Sequence, residues 1–148
     1  MTFTMQWQIE CPPEVAFEMM ADVRNEVRWN DDVSSAELLT DEPIGLGSRF
    51  ATRHPWPLGR MESTITEFER PHRFGTRTTA KSMDLTVSAT FTATDTRTVL
   101  SIQFDPKPKG VMKVLLPILL PMIRRDIDKQ HQSFNRLCEE EASQSSSF

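Results

Sequence analysis

Apolar and polar residues alternate one for one at the start of the chain. Phe3, Met5, Trp7 and Ile9 fall on one side, Thr4, Gln6, Gln8 and Glu10 on the other. That period of two predicts a half-buried strand over Thr2–Glu10. Pro12-Pro13 ends it. Glu14–Ala21 then reads as a short helix: proline suits a first turn, Glu14 favours its positive end, and Val15, Phe17, Met19 and Met20 are apolar. Asp22 is placed to cap a second short helical piece, Val23–Trp29. From Val33 to Asp105 the pattern turns to β. The predicted strands are Val33–Leu39, Gly47–His54, Arg60–Glu69, Arg73–Ala80, Asp84–Thr94 and Thr98–Asp105. Turn-forming stretches separate them, among them Arg70-Pro71-His72 and Asp95-Thr96-Arg97, and the short gaps favour antiparallel hairpins. Leu85, Val87, Ala89 and Phe91 share one face, with Thr86, Ser88, Thr90 and Thr92 opposite.

Pro106-Lys107-Pro108-Lys109-Gly110 is expected to break the sheet, and the period then becomes helical over Lys109–Glu141. Met112, Leu115, Leu116, Leu119, Ile123, Ile127, Phe134 and Leu137 follow one stripe. Pro117 and Pro121 lie inside it, predicting a kink or a broken first segment. Glu139–Glu141 oppose the helix dipole, so the last turn is expected to fray, and residues 143–148 to form a disordered polar tail. The order is strand, two short helices, six strands, long helix. A bent sheet needs its apolar face covered, and only the last helix is long enough. The reading is α+β, a helix-grip fold: a curved seven-stranded antiparallel sheet wrapped around a long C-terminal helix, in a single domain over residues 1–142.

Charge and cysteines narrow the partners. A net charge of −4 and a pI near 5.4, without a dominant basic face, argue against nucleic acid. Cys11 and Cys138 lie far apart without a CxxC spacing, which fits reduced thiols and a cytoplasmic location; no secretion signal is read at the start. Val111–Ile123 is too short and too interrupted to span a bilayer, so stable membrane insertion is not expected. Lys107, Lys109 and Lys113 flank that run on one side and Arg124-Arg125 on the other, which leaves peripheral membrane contact open beside the plainer reading of a solvated helix face. Monomer and homodimer are both open.

Few residues suggest chemistry. Gly45-Leu46-Gly47 is a turn rather than a nucleotide fingerprint. His54, beside Arg53, is a candidate acid or base, though a solvated loop histidine is commoner. Paired-carboxylate chemistry would draw on Glu62, Glu67, Glu69 or Asp84, though glutamates on antiparallel strands usually sit on the solvent face. His72 follows a turn proline and is expected exposed; His131 could reach a ligand, though a satisfied, half-buried histidine is commoner. No histidine or cysteine spacing suggests a metal, no serine elbow is present, and no cofactor is implied.

Several stretches together resemble a known family. Ile9–Phe17, Asp22 to Asn30, Gly45–Phe50, Thr66–Phe74 and Thr96–Leu100 resemble the START-like superfamily (SRPBCC) that includes the birch-pollen-allergen fold, and within it the bacterial polyketide cyclase/dehydrase-like proteins. The resemblance spans roughly Thr2 to Glu140. It implies a cavity between curved sheet and C-terminal helix, in a family of ligand carriers, lipid-transfer domains and cyclases. Its walls would come from Trp29, Phe50, Met61, Ile65, Phe74, Leu85, Val87, Phe91, Leu100, Ile102, Met112, Leu116, Leu119, Met122 and Ile123. Eight methionines and no tyrosine make such a lining adaptable and poor in phenolic donors. The expected function is binding of a small hydrophobic ligand, aromatic or polyketide-like. The alternative is a polyketide cyclase or dehydratase using a few polar residues in the same cavity.

Overall fold

The computed structural model describes residues 2–146. The elements are β1 (Phe3–Ile9), α1 (Pro13–Ala21), a 3₁₀ turn (Val23–Asn25), α2 (Glu26–Trp29), β2 (Ser35–Leu38), β3 (Arg49–Arg53), β4 (Arg60–Glu69), β5 (Arg73–Thr79), β6 (Met83–Thr94), β7 (Arg97–Pro108) and α3 (Met112–Ser146). All strands join one antiparallel sheet in the order β1-β7-β6-β5-β4-β3-β2. The first strand therefore closes on the last, and hairpins build the rest. This is the helix-grip architecture expected from the alternation.

Register sorts the side chains onto two faces, because directly paired residues point the same way. Following the pairs from Trp7↔Leu100 through Phe91, and from Phe104↔Val87 through Thr76 and Ile65, defines the face turned toward α3. A bulge between Ile65 and Glu67 lets Thr66 point outward without moving Phe68 and Phe74 off the inner face.

Three local expectations change. β7 runs through Pro106 and Pro108, which pair with Leu85 and Met83. β1 pairs only as far as Phe104, so one side of β7 is an edge beyond that point and tolerates residues without an N–H. The long helix is unbroken at Pro117 and Pro121. Both prolines are exposed, and each removes one bond from the ladder. The helix also continues past the glutamates to Ser146, so the first residues of the expected tail are helical; residues 147 and 148 lie outside the described residues. Asn135 bonds Glu139 and Arg28 pairs with Glu141, which supports those last turns.

The interior divides into two packed ends. In the larger, Phe17 of α1 meets Phe68, Phe74 and Phe91 edge-on at ring separations of 5.3, 6.2 and 5.4 Å, and Phe134 of α3 sits against Trp7 and Trp29 at 5.8 and 5.4 Å. Such tilted contacts suit aromatic quadrupoles. Buried Thr98 donates to the Cys11 carbonyl at 2.8 Å, and Glu10 N–H donates to Asn135, tying β1 to α3. The smaller end is a separate cluster of Met61, Met83, Met112 and Leu116, with Leu58, Ala80, Leu115 and Ile123 packed on it.

Candidate functional site

Between these ends α3 bridges the sheet. Its inner stripe keeps one phase throughout, yet burial changes along it. Met112, Leu116, Phe134 and Cys138 are fully buried, whereas Leu119, Ile123 and Ile127 in the middle are only half-buried. The sheet mirrors this. Ala89, Phe91, Leu100 and Ile102 are buried, but Leu85, Val87, Phe104, Phe3 and Met5, on the same inner face, keep solvent-accessible surface. Met5, Val87, Phe104 and Ile127 pack against the aromatic end and Ile123 against the methionine end, yet all point inward from the middle of α3 and the β1–β7–β6 side of the sheet and keep some surface that solvent reaches.

The inner face of β3, β4 and β5 adds polar groups. Register places Thr52 beside Met61, Ser63 beside Phe50 and Thr78, and Thr76 beside Ile65. Thr52, Thr76 and Thr78 are buried. Ser63 and Thr78 share a hydroxyl hydrogen bond of 2.7 Å, and Thr52 Oγ1 lies 3.1 Å from His54 Nε2. Burial holds the His54 pKa below its usual value, so the imidazole is neutral at neutral pH and can accept or donate. A hydroxyl–imidazole stripe thus runs along the inner wall next to the methionine end.

The remaining chemical candidates are elsewhere. Arg53, Glu62 and Asp84 fall on the outer, convex face, contrary to the expectation that they accompany His54. Arg53 pairs with Arg60 in register one residue out of phase with Thr52, and Glu62 is held between Arg49 and Arg60 at 3.1 and 2.8 Å. Those arginines, Arg60 first, hold the Glu62 carboxyl below the usual range. Asp84 pairs with Lys109 at 2.9 Å. His72 is exposed. His131 stacks on Trp7 at 5.0 Å, with its Nε2 3.1 Å from the Gln8 carbonyl, a structural role. Gly47, at φ +87°, makes the expected turn.

Of the expected lining residues, Phe74, Phe91, Leu100 and Ile102 are core of the aromatic end, and Met61, Met112 and Leu116 form the methionine end. Phe50 and Ile65 are buried, while Trp29, Leu85, Val87, Leu119 and Ile123 are half-buried and face inward. Trp29 Nε1 is buried without a hydrogen-bond partner among the described residues. Met122 is a correction: it is 60% exposed, because ten residues of helix turn it away from Met112. Sequence reasoning missed Thr52, Ser63, Thr76 and Thr78, which read as ordinary strand formers. Their shared phase with Phe50 and Ile65 was the available signal.

Two surface clefts, of about 410 and 300 Å³, lie away from this inner face. One is at the β6–β7 turn around Asp95 and Arg97, the other on the convex face around Arg49, Glu62 and Arg77. Cys11 and Cys138 are buried and reduced; hydrogen bonding between the two thiols, then burial, pushes the Cys138 pKa up. Among the described residues no group of three or more His, Cys, Asp or Glu is arranged to hold a metal, and no helix is long and apolar enough to cross a membrane.

The sequence pattern of the family described as polyketide cyclase / dehydrase and lipid transport matches residues 1–139. No curated protein matches the chain. Among solved structures, TTHA0849 from Thermus thermophilus superposes with a TM-score of 0.75 at 11% identity, covering 96% of this chain and 99% of that one. The Zhui aromatase/cyclase from Streptomyces sp. R1128 gives 0.75 at 14%, covering 94% and 93%. Ara h 8.0201 gives 0.72 at 11%, covering 95% and 98%. At these identities the likeness is one of fold.

Proposed function

Because the chain belongs to the polyketide cyclase / dehydrase and lipid transport family, a family that binds hydrophobic ligands, we propose that it holds a small, largely apolar ligand in a slot that opens between the sheet and the middle of α3. The observation that carries this is the half-burial of residues that point inward: Leu85, Val87 and Phe104 on the sheet, Leu119, Ile123 and Ile127 on the helix. A ligand covering them gains roughly 25 cal/mol per Å² of apolar surface, before the costs of association. Mostly apolar walls with a few placed polar groups are what such sites require. Thr52, His54, Ser63 and Thr78, further round the same inner face on the β3–β5 side, would supply those groups to a ligand long enough to reach them, an aromatic or polyketide-like molecule with at least one hydroxyl or carbonyl.

Two measurements test it. Native mass spectrometry of protein purified from its own source reads a retained ligand as added mass. Titration with anilinonaphthalene sulfonate reads the slot directly: Ile123→Trp fills it and abolishes binding, whereas a substitution at exposed Thr90 leaves binding unchanged. A protein that retains nothing, with dye binding indifferent to Ile123→Trp, refutes the reading.

His54 favours a second reading, a cyclase or dehydratase. A neutral imidazole beside a hydroxyl can take a proton from an acidic carbon between two carbonyls. On that reading His54→Ala abolishes turnover of a poly-β-ketone while leaving its affinity within a few-fold. Turnover that survives His54→Ala dismisses it.

A further inference from the structure

The outer face of the same helix segment carries a second feature, independent of the slot. Val111, just before α3, and Val114, Ile118 and Met122 within it are 64, 67, 68 and 60% exposed. At 100° per residue Val114, Ile118 and Met122 fall within an arc of about 80°, roughly 125° round from the buried stripe, with Val111 one turn before them. They therefore form one apolar strip about 16 Å long, at 1.5 Å per residue. A lone exposed leucine needs no explanation, but a strip of this kind does.

The charge around the strip points to its partner. From Pro106 to Arg125 the chain carries Lys107, Lys109, Lys113, Arg124 and Arg125 and no acidic residue, in a protein of net charge −4. Lys107, Lys113, Arg124 and Arg125 are exposed and have no ion pair among the described residues. Only Lys109 is committed, to Asp84. Beside the strip's N-terminal end, the loop between β3 and β4 packs Leu58 into the methionine cluster and holds it with the Ser82 hydroxyl, while its Trp56 is 83% exposed. Exposed Lys81 lies on the adjoining β5–β6 turn, whose Ala80 carbonyl accepts from Lys109. An apolar strip framed by unpaired cations, with an indole presented to solvent nearby, matches the interface of an anionic bilayer.

We propose that this face of α3, with Trp56, docks the protein on anionic lipid, the strip entering the headgroup–acyl boundary while the helix lies in the plane. The face belongs to the turns whose inner side, Met112 and Leu116, closes the methionine end, so docking sets that end against the membrane.

Co-sedimentation with phosphatidylcholine vesicles, with and without phosphatidylserine, tests the proposal. The full chain is expected to partition onto the anionic vesicles only, and to be released as salt rises from about 50 to about 500 mM. Lys113→Gln with Arg125→Gln is expected to lower partitioning about 30-fold, at about 1 kcal/mol for each basic residue. Ile118→Glu with Met122→Glu is expected to abolish it with the urea midpoint unchanged, since both side chains are already in water. The wild-type lipid and salt comparison stands without any variant. Absence of binding to either vesicle, or equal binding to both, overturns the proposal. So does a concentration-dependent dimer that Ile118→Glu dissociates, which would assign the strip to a second copy of the chain.

Discussion

Truncating two residues of one helical stripe separates an open interior from a closed one. Leu116 and Ile123 point inward from α3 in the same phase, but Leu116 is 4% exposed whereas Ile123 is half-buried. Leu116→Ala removes a full core side chain between methionines and is expected to cost about 3 kcal/mol, within the usual range for such cavities. Ile123 is withdrawn from water over most, not all, of its surface. Full burial of isoleucine is worth about 1.5–3 kcal/mol, so truncation forfeits about 1–2 kcal/mol. Alanine returns about 0.4 kcal/mol of helix propensity. The expected net cost of Ile123→Ala is therefore about 0.6–1.6 kcal/mol. With a urea m-value near 2 kcal/mol/M, the midpoint falls by about 1.5 M for Leu116→Ala and by less than about 0.8 M for Ile123→Ala, with m unchanged. Equal losses in ligand-free protein mean that Ile123 is packed as tightly as Leu116. The slot is then closed, and the ligand-binding proposal loses its main support.

Further outcomes follow from single groups. Burial raises the Glu26 pKa to about 7, against an opposing hydrogen bond from Asn30. The native state therefore binds the extra proton between about pH 4.5 and 7, and stability falls as pH rises through that window. Glu26→Gln should flatten that slope and add up to about 3 kcal/mol at pH 8; an unchanged pH profile of urea midpoints rejects the assignment. His54 has the opposite sign: with its folded pKa depressed, stability declines as pH drops below the ordinary histidine range. An NMR titration placing His54 at or above 6.5 would contradict its burial. Thr98→Val leaves the buried Cys11 carbonyl without its donor and should cost about 1–3 kcal/mol, measured by urea unfolding.

The alternation along β1, β6 and β7 made their inner faces legible, because a period of two needs only neighbouring residues. The polar inner wall was harder to see. Thr52, Ser63, Thr76 and Thr78 have the composition of any solvent-facing strand, and only cross-strand register shows that they share a face with Phe50 and Ile65. Picking Arg53, Glu62 and Asp84 from side-chain chemistry ignored their phase, which is that of the convex face. Met122 was misplaced for the analogous reason on a helix: in a run as apolar as Leu115–Ile123, hydrophobicity alone carries no direction. The continuation of β7 through Pro106 depended on where β1 stops, and nothing in β7 itself records that.

The pairing of β1 with β7, and the packing of β1 under α3, fix when the molecule can be completed. Emerging from the ribosome, the chain can close its sheet only after Pro108 has appeared. The Glu10–Asn135 bond and the Trp7–Phe134 contact must wait for about 27 residues more. At 5–20 residues per second, the sheet's apolar face stays uncovered for about 1.5–6 s of synthesis. Partners separated by 125 positions also make for slow folding. α3 ends that exposure once Phe134 and Asn135 are in place against β1.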